Sequence, residues 1–303
     1  MRNVKYILVA LSIFFFNAHS FASTKKQLTP RPPIYGIPAK TLPEGKWIFR
    51  GYWILPQYDK MYSAEKEEMV EIPRGVKFSS NSIILKVRYG LTNRLTVIVN
   101  LPYVCKKMEK PGIIKNNSGI GDVIGALLWK VHQNLQKRFL YSFLLFTKYP
   151  TGAASNLSQT ELPLGSGSFD IGAAFLPEKE FGKWDMRWSA FYVFRGKNKE
   201  QVDLGNVTSF SWSTAYNFSR NFIAEETFLY RRTGNNAKDD DSDTKLFQLI
   251  PGFQYRIQRT FLVQIAMPLT VYSKRPFSDS LEPWVGLFYL FYRRKKHETN
   301  KDN

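Results

Sequence analysis

Cysteine and histidine are almost absent from this chain of 303 residues. Cys105 is the only cysteine, and the histidines are His19, His132 and His297. A lone cysteine excludes an intramolecular disulfide framework, and three scattered histidines provide no cluster of metal ligands. Catalysis by a barrel hydrolase or protease needs a histidine near a nucleophile or an acid. His132 falls in a predicted short turn and His297 in the tail, so we expect no enzyme activity, no metal and no cofactor.

Long hydrophobic runs are also missing, except at the N-terminus. Arg2 and Lys5 precede a short apolar run at 7–16, and Ser20-Phe21-Ala22 offers small residues at a cleavage site. This pattern predicts a signal peptide over residues 1–22. The alternative, an uncleaved anchor helix, is disfavoured because the apolar run is short for a bilayer. Beyond it, charged or polar residues interrupt every apolar run, which leaves a soluble exported protein or a closed barrel.

Acidic residues are scarce relative to basic ones, with 25 Asp and Glu against 43 Lys and Arg and a net charge of +18. Such an excess could indicate nucleic-acid binding. The basic residues are spread over the whole chain without a nucleic-acid motif, so we expect no nucleic-acid partner. The acidic run at 239–243 could bind a divalent cation, but it lacks the spacing and glycine of a calcium loop. A solvated loop tip is the favoured interpretation.

Amphipathic segments recur along residues 46–292 at the spacing of antiparallel strands. Each has about the 9–13 residues that a tilted strand needs to cross a bilayer. The candidate strands are 46–55, 79–90, 94–104, 121–131, 138–149, 165–175, 183–195, 207–218, 222–232, 244–257, 260–272 and 283–292. The predicted fold class is therefore all-β, a transmembrane antiparallel β-barrel of about 12 strands.

The connections between these segments alternate in length. The short ones are 91–93, 132–137, 176–182, 219–221 and 258–259, whereas the long polar ones are 56–78, 105–120, 150–164, 196–206, 233–243 and 273–282. Short turns at one end and long loops at the other are typical of outer-membrane barrels. We expect the short turns and both termini to face the periplasm.

Aromatic residues make up 16% of the chain and are ordered along the strands. Trp184, Trp188 and Tyr192 share one face of a strand, and Asp185 and Arg187 share the other. In a barrel the apolar face meets lipid. An aromatic girdle at the membrane boundary is predicted beside the short turns, formed by Trp47, Tyr89, Trp129, Trp184, Phe222 and Tyr255. The alternative is that aromatic residues simply favour strands.

The opposite face predicts a charged interior. Strand alternation assigns these pore-lining candidates: Arg50, Lys86, Arg88, Asp122, Lys148, Asp170, Asp185, Arg187, Glu225 and Arg256. An excess of Lys and Arg in a pore favours anions. The alternative is that these charges pair across strands and close a narrow barrel.

Several glycine-containing segments resemble a known family, the outer-membrane barrels named for the phenol meta-degradation pathway. The matching segments are Tyr89-Gly90-Leu91-Thr92-Asn93-Arg94-Leu95, Asn100-Leu101-Pro102-Tyr103, Ser118-Gly119-Ile120-Gly121-Asp122-Val123, Lys148-Tyr149-Pro150-Thr151-Gly152 and Gly165-Ser166-Gly167-Ser168-Phe169-Asp170. They cover roughly residues 80–220, and they are turn motifs, not catalytic ones. The resemblance implies a channel or transporter-like barrel for small hydrophobic compounds. The basic tail after the last strand departs from the usual aromatic ending.

The predicted organisation has four parts: a signal peptide at 1–22, a periplasmic segment at 23–45, an outer-membrane barrel at 46–292 and a basic tail at 293–303. The predicted function is passage or uptake of a small solute, either a hydrophobic or aromatic compound or an anion. The alternative is a non-conducting structural or surface-interaction barrel. Expected partners are outer-membrane lipid, lipopolysaccharide and the solute; the oligomeric state is open.

Overall fold

The computed structural model describes residues 33–63, 65–198, 200–235, 243–258 and 260–291. The predicted signal peptide and basic tail lie outside these residues, and so does the acidic run apart from Asp243. Within the described ranges the secondary structure is all strand and connection, and a helix able to span a membrane is not found there.

Seventeen strands of the described residues form one sheet. Their bounds are β1 Trp47–Ile54, β2 Gln57–Ser63, β3 Glu68–Glu71, β4 Lys77–Thr92, β5 Leu95–Lys110, β6 Ile113–Ile120, β7 Val123–Asn134, β8 Phe139–Tyr149, β9 Asp170–Phe181, β10 Trp184–Arg195, β11 Val207–Asn217, β12 Phe222–Thr233, β13 Thr244–Arg256, β14 Phe261–Ala266, β15 Leu269–Lys274, β16 Ser278–Leu281 and β17 Trp284–Phe291.

The wall of the molecule is a closed ring. Its order is β1, β4, β5, β7, β8, β9, β10, β11, β12, β13, β14 and β17, and β17 pairs with β1 again. Every neighbouring pair is antiparallel. Closure leaves the wall without an unpaired edge, which is the condition for strands to cross lipid. The predicted 12-stranded barrel is confirmed.

The two ends of the barrel differ. At the short-turn end, brief connections join β4 to β5, β7 to β8, β9 to β10, β11 to β12, and β13 to β14. At the opposite, long-loop end, β2, β6, β15 and β16 continue wall strands beyond interruptions, three of which contain Pro56, Pro268 and Pro283. Proline has no N–H to donate to a ladder, so it breaks the strand pairing at these points. β3 completes a hairpin with β2.

The two faces of the wall follow the two-residue period of a strand. Leu145 and Phe194 are more than half exposed on the outside, whereas Asp185, Arg187 and Ser189 are buried inside. Outward apolar side chains recur around the ring, which gives the wall a surface suited to lipid.

Several local predictions were wrong. The loop expected at 105–120 is mostly the hairpin of β5 and β6, and the loop expected at 56–78 contains β2 and β3. The strand expected at 165–175 is β9 at 170–181, and the turn expected at 176–182 is largely part of that strand. The residues from Gly165 to Ser168 instead form a turn that is bound to Asp122. His132 lies in β7 and stacks on Tyr141, so it is not in a turn.

Candidate functional site

The lumen contains the chain's own N-terminal segment, residues 33–45, which we call the plug segment. Its first described residues reach the middle of the barrel, where the backbone N–H groups of Ile34 and Tyr35 donate to the carboxylate of Glu225 at 3.1–3.3 Å. The carbonyl of Pro33 accepts from Arg50 Nη2 at 3.2 Å. A periplasmic segment was predicted at 23–45, and the described part of it lies within the barrel, where these inward polar groups bind its backbone.

The plug segment continues to the short-turn end through further backbone contacts. Ser142 Oγ donates to the carbonyl of Ala39 at 2.5 Å, and Arg88 Nη2 donates to the carbonyl of Lys40 at 3.1 Å. Leu42 N–H donates to Thr96 Oγ1 at 2.7 Å. Ala39 also joins a buried apolar cluster with Ile98, Leu128, Leu140, Leu144, Ala174 and Leu176. The short-turn half of the lumen is therefore filled by protein.

Charged groups in this half form a compact network. Lys40 Nζ lies 2.8 Å from Glu178 Oε1 and also bonds Glu180. Burial alone would lower the pKa of Lys40, but the carboxylates of Glu178, Asp185 and Glu180 outweigh it and raise the pKa above its usual value. These three carboxylates lie within 4.8 Å of one another, a spacing that could hold a cation. The ammonium of Lys40 supplies that charge.

Arg187 is the second cation of the network. Its guanidinium lies 2.5 Å from Asp185 Oδ2, 2.8 Å from Glu225 Oε2 and 3.8 Å from Glu178 Oε1. All four side chains are buried. Buried charges are tolerated when they are paired in this way. These four side chains therefore stabilise one another inside the short-turn half.

Three of the glycine motifs, at 118–123, 148–152 and 165–170, meet at the long-loop end, where they fold the connection 150–169 against the wall. Asp122 accepts from Gly152 N at 3.2 Å and from Ser166 N at 2.8 Å. A side chain at Gly165 would collide with the Asp122 carboxylate, so this close approach requires glycine. Lys148 lies 2.6 Å from Asp170 and 3.5 Å from Asp122. The motifs therefore anchor a loop.

An inner cavity of about 270 Å³ lies between the plug segment and the wall. Its lining is mostly apolar and includes Ile34, Ile37, Tyr52, Ile54, Ile84, Ile124 and Trp284. Lys86, Asn100 and Asp122 supply the polar groups. Within the described part of the chain, Asn100 Oδ1 has no hydrogen-bond partner. A small apolar molecule with one polar group would fit such a lining.

An outer cavity of about 510 Å³ lies nearer the long-loop end. It shares Tyr35, Gly36 and Ile124 with the inner cavity, so the two are adjacent. Its lining combines apolar side chains with four cations and one carboxylate: Phe146, Phe191, Val193, Leu229 and Leu246, then Lys148, Arg195, Arg231 and Arg275, then Asp170. The long-loop half of the lumen thus keeps open space that the short-turn half has lost.

The predicted pore-lining residues fall into different surroundings. Lys86 and Asp122 border the inner cavity, and Lys148 and Asp170 border the outer one. The others that are buried are held by the plug segment or by the ion-pair network: Arg50, Arg88, Asp185, Arg187 and Glu225. Arg256 is half-buried at the last position of β13. Their role in lining a path stays a prediction.

Sequence reasoning missed the groups that bind the first residues of the plug segment. Gln264 Nε2 donates to the Pro33 carbonyl at 3.3 Å and to Gln254 Oε1 at 2.7 Å. The sequence contained one signal that this segment is buried: the apolar residues Ile34, Ile37 and Leu42 recur in a segment that was expected to be exposed to solvent. Apolar side chains gain no burial in an exposed loop.

The predicted girdle residues lie at the short-turn ends of their strands. Trp47 contacts Tyr89 with ring centroids 4.4 Å apart, and Phe222 lies opposite Tyr255 in the β12–β13 ladder. Trp129 is about half exposed, and Trp184 packs on Tyr216. The relation of this ring to a membrane boundary stays a prediction.

A closed antiparallel barrel of twelve strands, with an apolar outer belt and a polar interior, defines the class of the molecule. It is an outer-membrane β-barrel protein by its fold.

The family can also be stated. The model of the family described as "Putative MetA-pathway of phenol degradation" matches residues 64–278, and the chain belongs to this family. The resemblance drawn from the glycine motifs is thus confirmed. Among curated proteins, nothing matches.

Several solved structures are similar to this chain. The COG4313 outer membrane channel from Pseudomonas putida F1 is 15% identical with a TM-score of 0.70, covering 84% of this chain and 98% of that one. The translocator domain of the autotransporter NalP from Neisseria meningitidis is 8% identical with a TM-score of 0.49, covering 82% and 88%. The KdgM porin is 6% identical with a TM-score of 0.46, covering 80% and 99%. At 15% identity the likeness to the Pseudomonas putida F1 structure concerns the fold alone.

Proposed function

We propose that this protein is an outer-membrane channel or transporter that takes up a small hydrophobic or amphipathic solute, and that it is not an enzyme. The observation that supports this proposal most is that the lumen is divided. The long-loop half contains cavities with largely apolar linings, and the plug segment lies across the short-turn half. The structural neighbour from Pseudomonas putida F1 is itself described as an outer membrane channel.

In this proposal a solute enters from the long-loop end, which faces the outside of the cell, and the short turns face the periplasm. The outer belt contacts outer-membrane lipid, and the polar loops contact lipopolysaccharide. Passage to the periplasm requires the plug segment to shift, because Ala39 is packed against Leu128, Leu144 and Leu176 on the direct route. A simple hydrophilic pore is disfavoured for the same reason.

The second candidate is a non-conducting structural barrel. It is favoured by the buried Arg187, Asp185 and Glu225 network, which closes the same half without the plug segment's apolar contacts. A planar bilayer and a proteoliposome uptake assay distinguish the two candidates.

The experiment compares the wild type with a variant that lacks residues 33–42. We expect the wild type to admit a small apolar solute with little ionic conductance, and the deletion to raise the conductance clearly. A matched control replaces Glu65, Lys66 and Glu67 at the exposed β2–β3 turn by glycine and serine, and should leave both readouts unchanged. Heat-modifiable migration verifies folding. Failure of both proteins to admit solute or ions would establish the structural barrel instead.

A further inference from the structure

The outer cavity carries an unbalanced charge. Lys148, Arg195, Arg231 and Arg275 line it, and Asp170 is the one carboxylate among its lining residues in the described part of the chain. Asp170 is already engaged, since it lies 2.6 Å from Lys148 Nζ and 3.7 Å from Arg195 Nε. The remaining two cations have no such ion pair among the described residues, although Asp279 and Glu282 lie near one of them.

Arg231 and Arg275 are those cations. In the ranges that the structure describes, neither guanidinium has a carboxylate within ion-pair distance. Arg275 lies in the turn after β15, and its pKa is lowered by burial and by the nearby Arg231, while Asp279 and Glu282 act in the opposite direction. Two guanidiniums that repel each other across a cavity are stabilised by an anion placed between them.

The rest of the lining combines apolar side chains with hydroxyl groups. The apolar ones are Phe146 on β8, Phe191 and Val193 on β10, Leu229 on β12 and Leu246 on β13, and the hydroxyl groups belong to Ser189, Ser209, Ser211, Thr233 and Thr244. The volume of about 510 Å³ lies in the range of small-molecule sites, about 300–1,000 Å³. An inorganic anion would leave this apolar wall unused, and a neutral hydrocarbon would leave the guanidiniums unpaired.

We propose that the outer cavity binds organic acids, in which a carboxylate is held by Arg231 and Arg275 and a compact apolar body rests on Phe146, Phe191 and Leu229. The proposal rests on the proposed function and specifies its solute class. Carboxylates suit this pair because a guanidinium can donate two parallel hydrogen bonds to one carboxylate. The adjacent inner cavity, with Lys86 and Asn100 in an apolar lining, is the next position along the route.

Binding of cinnamate and of its neutral isostere cinnamamide tests the proposal. Equilibrium dialysis is performed on the full chain in lipid nanodiscs, with empty nanodiscs subtracting partition into lipid. We expect cinnamate to bind about tenfold more tightly than cinnamamide at low ionic strength, a difference of about 1.4 kcal/mol, because only the carboxylate forms charge-assisted hydrogen bonds with the guanidiniums. The preference should shrink at about 1 M salt, where the Debye length is about 3 Å.

Substitutions test which residues cause the preference for cinnamate. Arg231→Gln combined with Arg275→Gln should remove the preference for cinnamate and leave cinnamamide binding in place. Arg232→Gln is the matched control, because Arg232 is the next residue of β12, is exposed like Arg231 and does not line the cavity. It should keep the wild-type preference. Heat-modifiable migration shows that all variants are folded.

Three results would overturn the proposal: equal binding of both probes to the wild type, an equal loss in Arg232→Gln, or displacement of cinnamate by inorganic phosphate at equal concentration. The last would indicate a general anion site without an apolar requirement. Uptake of cinnamamide into proteoliposomes is measured in parallel. If uptake persists while the cinnamate preference is absent, the organic-acid site is refuted and the proposed channel function is not.

Discussion

The two halves of the lumen are filled by protein to different extents. In the short-turn half, the plug segment, a buried apolar cluster and paired charges fill the barrel. In the long-loop half, cavities of about 270 and 510 Å³ remain, and cations outnumber carboxylates around the larger one. One half is built like a protein core and the other like a binding site.

This difference shows which inward charges are structural. A barrel of about twelve strands is wider than inward side chains alone fill. In the short-turn half, Lys40 of the plug segment meets Glu178, so the added chain brings its own complementary charge. In the long-loop half, Arg231 has no such partner in the described ranges. Lys148 in the same half is paired with Asp170, so the presence of a carboxylate within reach separates the two roles.

The largest expected effect concerns Arg187. Its replacement by Met leaves Asp185, Glu178 and Glu225 buried beside one remaining cation, and removal of one partner from a buried network costs about 3–5 kcal/mol. Arg195→Met in the long-loop half should cost about 1 kcal/mol or less, since Arg195 is partly exposed. Urea unfolding in lipid bilayers measures both. Equal losses would mean that the two halves do not differ in this respect.

The second largest expected effect concerns side-chain packing in the two halves of the lumen. Leu128→Ala removes a side chain with 0% exposure from the apolar cluster and should cost roughly 3 kcal/mol, through lost burial and the cavity that remains. Val193→Ala borders the outer cavity and should cost roughly 1 kcal/mol, since it loses fewer contacts there. The same unfolding assay compares them. A larger loss for Val193→Ala would contradict the assignment of the core to the short-turn half.

Lys40 tests the plug segment itself. Lys40→Met should destabilise the protein by about 2 kcal/mol, less than a fully buried pair because a quarter of the Lys40 side chain is exposed. It should also raise the ionic conductance, since the segment loses its contacts with Glu178 and Glu180. Lys66→Met at the exposed β2–β3 turn is the control. An unchanged conductance with lowered stability would show that the segment does not obstruct ions.

The smallest expected effect is that of pH. A raised folded-state pKa means that charged Lys40 stabilises the protein fully below its unfolded-state pKa of about 10.4, and that this contribution is lost as the pH rises through the folded-state value. The wild-type conductance should therefore stay nearly constant from about pH 6 to about pH 9. A marked rise in that interval would point to another titrating group as the anchor of the plug segment.

Strand positions were predictable because they depend on local patterns. Asp185, Arg187 and Ser189 alternate with Trp184 and Trp188, and a two-residue period can be read without knowing the neighbouring strand. The start of β9 was not predictable in this way. It depends on Asp122, which binds Ser166 across 44 positions of the chain and turns the intervening glycines away from the ladder.

The sequence by itself determined the barrel, the order of its strands and which side chains point inward, because pleating and short turns act over a few residues. Only the tertiary structure decided what fills the inside. The contact between Ile34 and Glu225 joins residues 191 positions apart, and its formation requires the closed ring to bring Glu225 to the plug segment. Whether an inward charge is paired depends on such contacts between distant residues, and a local sequence pattern does not reveal them.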